Sequence, residues 1–236
     1  MTSPINHHLL WNGSSLFGTG NFVYSMQDYL LLQFPDSIIP ALILGLAIGG
    51  YYCFNFALTL AAYCLAEERG ILRGIKVALI FNLGRILTSL LFTLQILWLG
   101  WYLLPPNYLT FGVKLHAILL FLLAFKVIGF ISFRRTLTSP IFYFFWGGMC
   151  GIIWSEKFIT TFLTLGIHYL HYPGFTKLLF AISLFVGTTA LPILIFTLIG
   201  VKLGSLSLKK SLHRSLAALF LFVYAILQLF YSTKFF

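Results

Sequence analysis

The sequence predicts an all-α integral membrane protein with six transmembrane helices arranged as two inverted three-helix repeats. Composition is the first reason. Sixty per cent of the residues are hydrophobic, 8% are charged, and the mean hydropathy is +0.97, beyond what a water-soluble domain of this length carries. Second, apolar runs of the roughly 20 residues that cross ~30 Å of hydrocarbon recur along the chain, separated by Pro, Gly and charge. Third, the two halves share landmarks at matching intervals. No segment between the runs is long enough to form a second, water-soluble domain.

Residues 1–38 contain no Lys or Arg and so lack the charged start of a signal peptide. They are expected to form an external tail with an interfacial helix around "YSMQDYLLLQF". The first span runs from Ile39 to Ala66 and ends at "EERGILRG"; the second covers Val77 to Leu104 and stops at "PPN". The third spans Phe111 to Phe133, closing a first repeat over 39–133. After "RRTLTSP" the fourth covers Ile141 to Tyr169, the fifth Leu178 to Val201 and the sixth Leu212 to Tyr231, which makes a second repeat over 140–232.

Basic residues orient these spans. The loops after spans one, three and five hold Arg69, Arg73, Lys76, Arg134, Arg135, Lys202, Lys209, Lys210 and Arg214, against Lys114, Lys177 and Lys234 on the other side. By the positive-inside rule both termini lie outside the cytoplasm, in a bacterial inner or an organellar membrane. The formal net charge of +10 is therefore a topology signal. No nucleic-acid partner is expected, because the apolar runs leave no soluble basic face.

The repeat rests on Pro40 with Pro140, Gly50 with Gly151, Thr59 with Thr160, and Gly84 with Gly187. Three spans per half place the second copy upside down relative to the first, the ground plan of many transporters, whose sites lie at mid-membrane between the repeats. In that register Cys53 and Asn55 fall opposite Trp154 and Glu156. An ionised group at that depth costs at least ~2.5–3.5 kcal/mol unless it faces a partner or a wet cavity, so Glu156 and Asn55, with neighbouring Cys53 and Lys157, form the candidate substrate site. The alternative is a break in span four, with Ile141 to Ser155 re-entrant and the charges interfacial.

Glycine-rich span starts, a mid-span cysteine, "FNLGRIL" and "LFVGTTALPIL" resemble the membrane domain shared by sulfite exporters of the TauE/SafE type, also described as urease-accessory-like, and by the CcdA-type thiol-disulfide reductases of cytochrome c biogenesis. The likeness covers about residues 40–232. In the reductase branch it implies one redox cysteine in span one and one in span four, each beside a proline. Cys53 fits the first position but is followed by "FNF", and "WSEK" at the matching place in span four has no cysteine.

All three cysteines, Cys53, Cys64 and Cys150, lie inside spans, where small buried hydrophobes are the ordinary reading. Pairing of Cys150 with Cys53 or Cys64 stays geometrically open. His7, His8, His116, His168 and His171 fall on the outer side, and "HYLH" sets His168 and His171 on one helix face. Two imidazoles so placed suit Zn, Cu or Ni, yet such residues are ordinary at a membrane interface, so no metal or other cofactor is expected. Arg85 reads as an interfacial residue, since Ile86 to Leu104 alone suffices to span. No hydrolase or transferase motif is present.

Three functions follow. A carrier or exporter of a small ion ranks first and depends on Glu156 and Asn55. A transmembrane thiol-disulfide relay with a thioredoxin-like partner depends on two cysteines, Cys53 and Cys150. An assembly factor for a cytochrome c or respiratory complex depends on an outer surface. Only the relay would be an enzyme, an oxidoreductase.

Topology is open to direct measurement. Reporter fusions after Arg73, Arg135 and Lys210 should read cytoplasmic, and fusions at either terminus external; an external signal after Lys210 would overturn both the orientation and the inverted repeat.

Overall fold

A computed structural model describes residues 29–34, 37–51, 53–67, 70–99, 108–130, 139–171, 175–205 and 210–230, without the side chains of 51, 96–99, 108–109, 154–159, 169–171, 175–180 and 210. Among the described residues every regular element is an α-helix. These are α1 (Ile39–Tyr51), α2 (Phe54–Glu67), α3 (Ile71–Leu99), α4 (Tyr108–Ile128), α5 (Pro140–His171), α6 (Phe175–Gly204) and α7 (Lys210–Phe230). A helical stretch at 29–33 precedes them and buries Leu30 and Leu31.

Helix ends follow local chemistry. Ser37 Oγ accepts from the Ile39 amide at 3.1 Å, and Ser139 Oγ accepts from the Phe142 amide at 3.2 Å. Both are N-terminal caps, and Pro140 follows Ser139 as the first helical residue, where its missing N–H costs nothing. After α4, Gly129 takes φ 98° while the Phe130 amide returns to the Phe125 carbonyl at 3.0 Å. That is the left-handed C-terminal cap to which glycine is suited.

Four helical segments, Ile71–Gln95, Thr110–Ile128, Ala181–Gly204 and Ser211–Phe230, are long and apolar enough to cross a membrane, and the bent pair α1 and α2 makes a fifth. Their polarity is turned inside out. Along α3, Leu79, Leu83, Leu87, Leu91 and Leu94 face outward, while Asn82, Arg85, Ser89 and Thr93 are buried. α6 likewise exposes Leu191, Ile195, Ile199 and Leu203 and buries Thr188, Thr189 and Thr197. Apolar stripes of this length need an apolar surrounding, so the chain is read as an integral membrane protein.

Span one is not one straight helix. The axes of Ile39–Gly50 and Phe54–Glu67 differ by 58°, and the break falls at Cys53. The break in span four that stood as the alternative is absent, because α5 runs as 32 helical residues through 154–159. Arg85 is the other correction. The second helix starts at Ile71 instead of Val77, which leaves 14 residues on each side of Arg85, about 21 Å each way.

α3 packs along α5, α1 and α2 pack along α6, and α4 packs along α7. Small residues permit the approach. A Cβ on Gly151 would lie 2.5 Å from the Arg85 carbonyl, and one on Gly147 would strike the Phe81 carbonyl. In the other pair, Gly45 and Gly49 leave room for the carbonyls of Phe185 and Thr189. Gly50 and Gly187, both landmarks of the repeat in sequence, face open space instead.

Gly147→Ala should therefore push α3 from α5 and destabilise by about 1–3 kcal/mol as an overpacked contact. Gly50→Ala should be neutral or slightly stabilising. Thermal melts in detergent compare them, and equal melting temperatures would refute this packing account.

Candidate functional site

The interior polar groups converge near the break in span one. Cys53 is fully buried, and its carbonyl accepts from the Ala57 amide at 2.9 Å, so Cys53 is the residue that starts α2. From α3, Arg85 Nη1 donates to Cys53 Sγ at 3.0 Å, and Nη2 donates to Thr189 Oγ1 of α6 at 3.1 Å. Thr189 is held in turn, donating to the Val186 carbonyl at 2.7 Å. Cys150 of α5 is fully buried one residue before Gly151, which packs against the Arg85 carbonyl. Ser89 links the same helices, with its hydroxyl 3.0 Å from the Arg85 carbonyl and 3.3 Å from that of Gly151.

Arg85 was expected at the interface, yet its side chain is completely buried. The reason is depth: from the middle of a 29-residue helix its stem cannot snorkel to water. A charge so placed survives through contacts from other helices, and here Cys53 and Thr189 supply two of them.

A second network adjoins the first. Trp146 Nε1 donates to His116 Nε2 at 3.1 Å, and His116 Nδ1 lies 2.9 Å from Gln228 Oε1. Indole nitrogen only donates, so Nε2 is the accepting nitrogen and Nδ1 carries the proton toward Gln228. Phe56 sits edge-on to the His116 ring at 5.3 Å. Below Trp146, Tyr63 meets it edge-on at 5.8 Å and accepts from Lys126 Nζ.

Of the residues singled out in sequence, Cys53 and Cys150 are both fully buried at the level of Arg85, Cys53 bonded to the guanidinium and Cys150 next to Gly151, which packs on the Arg85 carbonyl. Cys64 is buried elsewhere, 11 residues along α2 from Cys53, or about 16 Å. Asn55 lies in the first turn of α2 and is partly buried. Glu156 and Lys157 have helical backbone on α5, but their side chains, like that of His171, lie outside the described residues. His168 is partly buried on α5, and no group of three His, Cys, Asp or Glu lies together among the described residues. His116, read as an outer-side histidine, is fully buried in the bundle.

Arg85, Thr189, His116 and Gln228 escaped sequence reasoning as site residues. The signal for Arg85 was its place one residue after Gly84, which an interhelical backbone contact requires to be small. Thr189 lies in "LFVGTTALPIL", as Arg85 lies in "FNLGRIL", but nothing in either stretch shows that the two meet; His116 and Gln228 carry no local signature. No protein-family model matches this chain, and no curated protein or solved structure matches it either.

His116→Phe keeps ring volume but strands the Trp146 N–H and the Gln228 carbonyl oxygen, at about 1–3 kcal/mol for each buried group. Trp146→Phe should cost less in polar terms, leaving only the imidazole Nε2 without its donor. Unfolding in mixed detergent measures the difference, and a His116→Phe protein as stable as the parent would remove the network from the structural account.

Proposed function

We propose that this chain passes reducing equivalents across a bilayer by thiol-disulfide exchange between Cys53 and Cys150. The observation that carries the proposal is that these two thiols, from the helices read as the first and fourth spans, are both buried beside α3 at Arg85, Cys53 through a hydrogen bond and Cys150 next to the glycine that packs on the Arg85 carbonyl. Both are free and buried, so a partner reaches them only when the bundle opens. The break between α1 and α2 is the natural place for that movement, since a helix interruption concentrates backbone freedom where the ladder is already broken. The resemblance to thiol-disulfide reductases points the same way, and Cys150, one and a half turns before Glu156, stands in for the cysteine that "WSEK" lacks.

The proposal includes six spans in two inverted repeats. α5 is long enough at 32 residues, about 48 Å. Exchanging the halves turns the pairing of α3 with α5 into that of α6 with α1 and α2, and maps α4 on α7 onto itself. Gly147 and Gly151 against Phe81 and Arg85 correspond to Gly45 and Gly49 against Phe185 and Thr189. This register differs by one residue from the one read in sequence, and it makes Arg85 and Thr189 equivalent positions that hydrogen-bond to each other. Glu67 and Arg214 pair at 3.8 Å, which sets the end of α2 and the start of α7 on one side of the bundle; the proposed orientation, termini outside the cytoplasm of a bacterial inner or an organellar membrane, rests on the positive-inside count.

The test is transfer of electrons in proteoliposomes, with a thioredoxin-like dithiol inside and a disulfide-bonded reporter outside. Cys53→Ser and Cys150→Ser should each lower transfer by at least about 100-fold, because exchange needs both sulfurs; Cys64→Ser should leave it unchanged. Glu156→Gln separates the readings. Proton-coupled ion flux lost in Glu156→Gln and kept in both cysteine variants would restore the small-ion carrier.

A further inference from the structure

The two thiols are not placed alike. Cys53 receives a hydrogen bond from the Arg85 guanidinium at 3.0 Å and sits at the N-terminal end of α2, a 14-residue helix. Cys150 lies in the interior of α5, eleventh of its 32 residues and far from a helix N-terminus, one residue before the glycine that packs on the Arg85 carbonyl. A guanidinium contact and the partial positive charge of a helix N-terminus both favour negative charge on sulfur. Both act on Cys53.

We propose that Arg85 sets the order of exchange, making Cys53 the attacking sulfur and leaving Cys150 to resolve the intermediate. This rests on the relay reading. Cys53, having released its proton, attacks one sulfur of a partner protein's disulfide. The partner's S–S bond breaks, and its departing sulfur takes up a proton. Cys150 then loses its proton and attacks Cys53 Sγ; the mixed disulfide breaks and the partner's second sulfur leaves and is protonated. The partner has gained two electrons and two protons, and Cys53 and Cys150 are joined. A thioredoxin-like dithiol on the other side, as reductant, returns the pair to thiols by the same steps in reverse.

Thr189 gives the guanidinium a second anchor that does not depend on the redox state of Cys53. The fork of Arg85 spans Cys53 and Thr189 with separate nitrogens, so the charge stays in place when Cys53 turns toward Cys150. Lysine would keep the charge and lose the fork. Because Arg85 favours the reduced pair, it also makes the pair the stronger oxidant.

The test uses the full chain in nanodiscs, reduced and carrying Cys64→Ser, with the neutral probe 2,2′-dithiodipyridine. Cys53 in a Cys150→Ser background should react at least about tenfold faster than Cys150 in a Cys53→Ser background, since attack follows thiolate content. Arg85→Gln should erase that preference and Arg85→Lys should return part of it, an outcome that a merely structural role would not produce. With both cysteines present, Arg85→Gln should lower the potential of the pair by about 30 mV for each tenfold change in equilibrium. Thr189→Val, which frees the guanidinium from its anchor, should cut the preference at least about threefold and serves if Arg85→Gln fails to fold.

Equal rates with Arg85 present, or a preference that survives in folded Arg85→Gln or Thr189→Val, would overturn the proposal. The relay reading fails separately: transfer that persists in Cys53→Ser and Cys150→Ser proteoliposomes refutes it whatever the probe rates show.

Discussion

A cation in the middle of a membrane span has nowhere to go. Water is about 21 Å away along the helix in either direction, and the interior penalises an unsupported charge. Arg85 therefore constrains everything around it. α2 must bring the Cys53 sulfur to one arm of the guanidinium, and α6 must bring the Thr189 hydroxyl to the other. α5 must come close enough for Gly151, the neighbour of Cys150, to rest on the Arg85 carbonyl. The interhelical hydrogen bonds that hold the centre of the bundle are thus also those on which the proposed difference between the two thiols rests.

Close backbone approach makes this geometry attainable. A hydrogen bond of 3.0 Å between side chains on different helices requires the helices to be near, and Gly147 and Gly151 let α5 lie against the carbonyls of Phe81 and Arg85. Ser89 reinforces the contact by placing its hydroxyl between carbonyls of both helices. Leucine stripes on the outer faces and Thr, Ser, Asn and Arg on the inner ones complete the arrangement. In such a bundle lipid gives little reason for helices to associate, so small-residue contacts and polar bridges carry the specificity.

Apolar segments overlapping four long helices and the bent pair α1 and α2 were legible in the sequence, because Pro, Gly and charge interrupt hydropathy where the helices end. Arg85 was not, for a specific reason. Two windows around it are equally apolar, and only the observed start of α3 at Ile71, with the exposed Arg73 in its first turn, decides that Arg85 is central. Gly50 and Gly187 were read as structural landmarks although nothing packs on them; Gly84 and Gly151 earn that reading from real contacts. Periodicity shows which glycines recur, but not which face another backbone. For the cysteines the sequence left two pairings open; all three are free thiols in the structure, and Cys53 accepts a hydrogen bond from Arg85. His116, Trp146 and Gln228 come from three helices with no shared motif, so their hydrogen bonds could not be foreseen from spacing.

The broken first span has a consequence for biogenesis. α1 and α2 hold 13 and 14 residues, about 20 Å each, so neither crosses the bilayer alone. Their packing surface is α6, which begins more than 100 residues later. Until that helix is made and inserted, α1 and α2 lack their packing surface and the polar face of α3 is without Thr189 and its neighbours. α1 and α2 therefore settle only after more than 100 later residues have been made, and truncation anywhere before α6 would leave a misfit that membrane quality-control proteases can recognise.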